Sequence, residues 1–99
     1  MDERELIEKV KEWGREKAID NPTRQLNKVI EEIGELAHEI CRDRYNSLEL
    51  RDAIGDVLVT VIILADITGN DPIKCLELAY NEISGRDGVT SEGMFIKKA

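Results

Sequence analysis

Aromatic residues make up only 4% of this 99-residue chain. Sheet cores are normally built on aromatic and β-branched pairs, so the scarcity argues for helices. Two prolines, with 35% charged and 41% hydrophobic residues, argue against disorder. Basic side chains are outnumbered: 14 Lys and Arg against 21 Asp and Glu give a formal charge of −7. That disfavours binding to nucleic acid or to an anionic membrane by charge alone. It suits a ligand that is a cation, or an anion that arrives carrying one. The longest apolar run, Val57 to Ala65, is bounded by Asp56 and Asp66 and falls far short of the roughly 20 residues that span a bilayer. The opening residues MDERELIEKVKEW are charged from the second position and hold no apolar signal core, so the expected location is the cytoplasm. Cys41 and Cys75 form no CxxC pair and are expected to be small buried hydrophobes in a reducing compartment. There is no paired His/Cys pattern, no glycine-rich phosphate loop, and no Ser/His/Asp set that the single histidine, His38, could complete.

What the chain does have is helical periodicity. One domain, residues 1–99, is expected, with four helices. The first, about Asp2 to Ala18, aligns Leu6, Ile7, Val10 and Trp13 on one stripe. Asp20-Asn21-Pro22-Thr23 is a break, with Thr23 as the expected N-cap. The second helix, about Arg24 to Asp43, carries Leu26, Val29, Ile30, Ile33, Ala37 and Ile40 along one face at a 3.6-residue period. Ser47 caps a third, about Leu48 to Thr68, which is apolar nearly all round from Ile54 to Ile67. A helix of that kind must be surrounded, and so short a chain has few helices to offer; self-association is expected. Asp71-Pro72 opens a fourth helix running to about Ile83, and the tail after Gly85 reads as a loop or small hairpin.

The carboxylates carry the chemistry. Glu31, Glu32 and Glu35 lie within about one turn of the second helix, opposite its apolar stripe, with Glu39 beside them. A solvated face accounts for them if Lys28 pairs with Glu31 or Glu32 and Arg42 with Glu39. Asp52 and Asp56 are i, i+4 neighbours whose row runs on into Val59 and Ile63, so Asp56 enters the most apolar segment on a face expected to be buried. A buried carboxylate needs a partner, a raised pKa or a metal. Arg24 or Arg51 could supply an ion pair. Alternatively, two antiparallel helices can place Glu32, Glu35, Asp52 and Asp56 in one pocket, an all-oxygen set suited to Mg²⁺ or Mn²⁺.

Glu31-Glu32-Ile33-Gly34-Glu35-Leu36-Ala37 followed by Asp52-Ala53-Ile54-Gly55-Asp56-Val57-Leu58 resembles the MazG-type all-α nucleotide pyrophosphohydrolases. Their pattern is EExxE on one helix and ExxD on its neighbour. The Trp13-Gly14 helix end, the Gln25/Lys28 approach and the Ala79-Tyr80-Asn81-Glu82-Ile83 segment are also similar in order, so the resemblance covers nearly the whole chain, in the compact form often carried by phages. It implies a four-helix MazG-like bundle, assembled as a homodimer or homotetramer, that hydrolyses a nucleoside triphosphate to the monophosphate and pyrophosphate. By match Glu32, Glu35 and Asp56 would hold Mg²⁺, with Mn²⁺ a possible substitute and Glu31 in or next to the coordination shell. Glu31, Glu32, Glu35 and Asp56 would form the catalytic set. Lys28, Asn81, Arg86 and Trp13 would contact substrate, Asn81 and Arg86 from the phosphate side.

Two departures stand out. Ala53 replaces the glutamate of ExxD, and Ser84 stands where relatives often carry a lysine. Asp52, one residue earlier, is expected to supply the missing oxygen. Phosphoribosyl-ATP pyrophosphohydrolase is the alternative enzyme, and a catalytically silent nucleotide-binding or assembly module is the alternative from another class.

Overall fold

The first three helices form a single packed unit with the third at its centre. The computed structural model describes residues 1–98. Helix α1 spans Glu3–Glu16, α2 Pro22–Cys41, α3 Leu48–Ile67 and α4 Pro72–Ser84. A hairpin of β1, Gly88–Ser91, and β2, Met94–Lys97, closes the chain. The fold is all-α with this small two-stranded tail.

Each helix starts on a side-chain cap. Asp2 accepts from Glu5 N at 2.8 Å, Ser47 from Leu50 N at 3.1 Å, and Asp71 from Ile73 N at 2.9 Å. The cap of α2 is Asn21, which accepts from Arg24 N at 3.0 Å, rather than Thr23. Pro22 decides this: it fits the first helical position, where a missing N–H costs nothing, and so draws the helix start back ahead of Thr23.

Helix α2 lies along α3, and α1 crosses α3 near its C-terminal half. The face that α2 turns to α3 is formed by Gln25, Val29, Glu32, Leu36 and Glu39, the positions at which its burial recurs. This corrects the expected core. The apolar stripe lies one residue further on, about 100° round the helix, and faces outward. Leu26 is 48%, Ile30 58%, Ile33 49% and Ile40 46% exposed, and only Val29 of the stripe is buried. The inward face therefore brings glutamates, not isoleucines, against α3. On α3 the buried positions are Leu50, Ala53, Thr60 and Ile63.

Three contacts fix α1 and α2 on α3. Gln25 Nε2 donates to the Thr60 backbone carbonyl at 3.0 Å. Gly14 packs on the Ile63 side chain. Arg15 forms a two-pronged pair with Asp66, at 3.0 and 2.7 Å, which raises the Arg15 pKa further above its ordinary value. Trp13, expected among the core residues of α1, is 49% exposed, because Gly14 rather than Trp13 makes the close approach to α3.

The C-terminal third is open. No residue of α4 is buried, although Leu76, Leu78, Tyr80 and Ile83 project from it, and the hairpin packs against none of the helices. The hairpin turns through Glu92 and Gly93, both at positive φ, as a two-residue type I′ turn requires. The radius of gyration, 15.8 Å, exceeds the roughly 13 Å of a closed domain this long. Cys41 and Cys75 are free and exposed, contrary to expectation, because both lie on helix surfaces left uncovered in one chain. No helix among the described residues is long and apolar enough to cross a membrane.

Candidate active site

The rotation of α2 gives the inter-helix groove its character. Glu32 and Glu39 point toward α3 while Glu31 and Glu35 flank them, and α3 answers with Glu49, Asp52 and Asp56. The result is a cleft of about 430 Å³ lined by Lys28, Glu31, Glu32, Glu35, Glu39, Glu49, Asp52, Ala53 and Asp56. Seven carboxylates face one ammonium. Such a surface repels a bare polyphosphate and attracts hard cations.

The few cations present are used within α2. Lys28 Nζ lies 3.5 Å from Glu31 and 4.0 Å from Glu32, and Arg42 lies 3.9 Å from Glu39. Asp56 is half-buried and forms an ion pair with neither Arg24 nor Arg51 among the described residues; Arg51 donates to Asn46 instead. Its nearest environment is the acidic cleft on one side and apolar α3 on the other. The donor set fits a hard divalent cation in kind, because it is all carboxylate oxygen on two adjacent helices. Among the described residues no three side chains already converge on one metal position.

A second hollow, of about 240 Å³, continues the cleft toward α1. Lys28, Glu32 and Asp56 line both spaces, and Trp13, Ile19, Gln25, Val59, Thr60 and Ile63 complete the inner one. One side of the junction is thus ionic, the other apolar with a few polar atoms. That division matches a molecule whose anionic end arrives with a cation and whose other end is flat and mostly apolar.

The model of the MazG nucleotide pyrophosphohydrolase domain matches residues 20–83, which carry both acidic helices and most of α4. The chain belongs to the MazG nucleotide pyrophosphohydrolase family. No curated protein and no solved structure matches it closely enough to add to this. Membership of the MazG family supports nucleotide pyrophosphohydrolase activity in general.

Within this MazG domain the expected acids come together: Glu31, Glu32, Glu35, Asp52 and Asp56 share the cleft with Lys28, and Trp13 stands at the inner hollow. Asn81 and Arg86 do not join them. Both lie at the α4 end, where Arg86 pairs with Glu82 at 3.1 Å, because α4 leans on α3 alone. His38 is exposed and lines neither space. Glu49 went unremarked in the sequence, although it precedes Ala53 by four residues and so shares its helix face. Gln25 was noticed only for its place in the chain, and its burial could not be foreseen without the rotation of α2.

Proposed function

We propose that this MazG domain hydrolyses a nucleoside triphosphate, ordinary or aberrant, to the nucleoside monophosphate and pyrophosphate in a Mg²⁺-dependent reaction. The observation that carries the reading is the half-buried Asp56, without an ion-pair partner among the described residues, at the junction of an acidic cleft and an apolar hollow that holds Trp13. A structural carboxylate at that depth would be expected to have a basic partner.

Glu32, Glu35, Asp52 and Asp56 would hold the cation, with Mn²⁺ able to replace Mg²⁺. Bound there, the metal neutralises triphosphate oxygens and lowers the pKa of a water molecule. Glu31 is exposed and held only by the exposed Lys28, so it is free to accept the proton of the attacking water. The water oxygen bonds to phosphorus as the anhydride bridge between the α- and β-phosphates breaks, and pyrophosphate leaves with the bridging oxygen. Lys28 sits between the two spaces and can turn from the glutamates to a phosphate oxygen. Asn81 and Arg86 lie outside the cleft of their own chain, so contact with the phosphates would come from a second copy in a homodimer or homotetramer.

The same chemistry would serve phosphoribosyl-ATP. The silent-module reading draws on one observation, the alanine at position 53 on the cleft wall. Pyrophosphate release from a panel of nucleoside triphosphates, with Mg²⁺ and with the metal chelated, decides the matter. Metal-dependent release supports hydrolysis, and nucleotide binding with no release from any substrate supports the silent module.

A further inference from the structure

The inner hollow contains a polar group that the hydrolytic reading does not use. Gln25 is only 6% exposed, yet its amide makes a single hydrogen bond among the described residues, from Nε2 to the Thr60 backbone carbonyl at 3.0 Å. A carbonyl only accepts, so this bond fixes the amide: nitrogen toward α3, oxygen away from it. The Oε1 atom is neither satisfied by the protein nor sealed from solvent, since no buried side-chain oxygen is left without a partner. Gln25 lines this hollow and the neighbouring one bounded by Asn21 and Arg24, and its amide cannot flip without losing a buried bond.

Its surroundings reinforce this polarity. The Thr60 hydroxyl, also on that wall, donates its proton to Val57 O at 2.9 Å, leaving only lone pairs to offer. Glu32 and Asp56 at the junction are acceptors as well, and Lys28 is directed to Glu31 and Glu32. Trp13, Ile19, Val59 and Ile63 supply flat and aliphatic walls. Acceptors at the Gln25 end of an apolar floor, with the Lys28 ammonium, the Trp13 indole and the remaining Gln25 N–H as the donors of the lining, complement a planar group that presents N–H bonds to that end.

We propose that this hollow seats the nucleobase of the substrate and that Gln25 makes the protein selective for bases bearing an exocyclic amine, cytosine or adenine, over their keto counterparts. The inference rests on the nucleotide reading above and adds the class of base to it. An exocyclic amine offers two N–H bonds, one for Gln25 Oε1 and one for the Thr60 hydroxyl oxygen. A carbonyl at the same ring position sets lone pair against lone pair, and the single ring N–H beside it can meet one acceptor at most, where the amine meets two. Trp13 stacks on the open face of the base.

Trp13 is the only tryptophan, so its fluorescence reports on occupancy of the hollow without requiring turnover. The full chain would be titrated with CMP against UMP and AMP against IMP, and kcat/KM compared for CTP against UTP and ATP against ITP. About a tenfold preference for each amino base is expected, the effect of one hydrogen bond. Gln25→Leu should bring each pair within about twofold, and Thr60→Val should erode the preference less, both checked for folding by circular dichroism. Parental protein that binds and turns over keto and amino bases alike overturns the proposal, whatever the variants do. Amino-base preference in the fluorescence titration with no pyrophosphate released supports it while overturning hydrolysis. Preference that persists in a folded Gln25→Leu overturns the role of Gln25.

Discussion

Gly14 in α1 lies so close to Ile63 in α3 that a Cβ at position 14 would stand 3.2 Å from Ile63 Cγ1 and 3.4 Å from two further carbons of the same side chain. Ile63 is 2% exposed and has little room to retreat. Glycine in a helix ordinarily costs about 0.5–1 kcal/mol relative to alanine, so the contact must outweigh that. Gly14→Ala is expected to destabilise the protein by about 1 kcal/mol, overpacking exceeding the gain in propensity. Urea denaturation measures it, and a more stable variant would show that α1 shifts freely on α3.

The acidic cleft predicts a metal response. Mg²⁺ should raise the melting temperature, because it binds folded carboxylates that are dispersed in the unfolded chain. The stabilisation should be about 2.7 kcal/mol at a hundred times Kd. Asp56→Asn should abolish most of that response, lower metal affinity more than about tenfold and remove turnover. It should also make the metal-free protein slightly more stable by relieving repulsion with its neighbours. A parental melting temperature unchanged at saturating Mg²⁺, or after EDTA, argues against a shared metal site.

Outward-facing Leu26, Ile30, Ile33 and Ile40 on α2, with the bare apolar side of α4, predict a homo-oligomer. A 13-residue helix with no buried residue is marginal in water on its own. Sedimentation at micromolar concentration should show a dimer or tetramer, and Ile33→Glu should shift it toward monomer with loss of α4 helicity. Gly34, beside Ile33, has open space around it in one chain. Gly34→Ala should therefore weaken assembly if a second copy covers it, and gain about 0.5–1 kcal/mol if none does. A stable, fully helical monomer would reject the prediction.

Helix number, order and most boundaries were legible in the sequence, because caps and periodicity are local. Ser47 and Asp71 were read correctly, whereas the first cap of α2 fell to Asn21 once Pro22 took the first helical position. The direction of α2 was not legible. Its strongest hydrophobic stripe predicts the core face, but a chain that leaves Leu26, Ile30, Ile33 and Ile40 exposed has more than one apolar face to place. That one-residue rotation decides which glutamates line the cleft and buries Gln25. The acid pairs were legible because EExxE and the aspartates of α3 follow helical spacing. Asn81 and Arg86 could be named but not positioned, since α4 makes too few contacts within its own chain to aim them.

Asp71 gives a pH dependence of definite sign. Its carboxylate accepts from Ile73 N at 2.9 Å and from Lys74 N at 3.4 Å, and the Ile73 bond above all holds its pKa below the ordinary carboxylate value. The folded state therefore binds fewer protons here than the unfolded one as the pH falls below about 4. The stabilisation is fully present above the unfolded pKa and is lost as pH falls through the folded value. The gap in α4 stability between the parent and Asp71→Ala should be constant above about pH 5 and narrow toward pH 3. Hydrogen exchange of α4 amides, corrected for intrinsic rates, measures it. A gap that widens on acidification would mean the cap does not act through its charge.

The broken motif leaves a sharper question. Ala53 occupies the position of the family glutamate and is buried on the cleft wall, so a metal held there would have to draw that oxygen from a neighbour. Asp52 and Glu49 both reach the cleft, from different directions. Asp52 stands i, i+4 from Asp56, on the same helix face but at its other edge, and its short side chain demands a close approach. Glu49 sits one turn before Ala53 with a longer reach, but within the first turn of α3, where a carboxylate is already favoured by the helix dipole. If Asp52 is the ligand, Asp52→Asn should weaken Mg²⁺ binding at least tenfold and cut turnover, while Glu49→Gln changes stability by only about 0.3–1 kcal/mol and leaves metal affinity intact. Calorimetric titration of Mg²⁺ into both variants separates the two. Near-parental affinity and turnover in Asp52→Asn would reject Asp52. A loss confined to Glu49→Gln would instead place the replacement ligand one turn away from the residue it replaces.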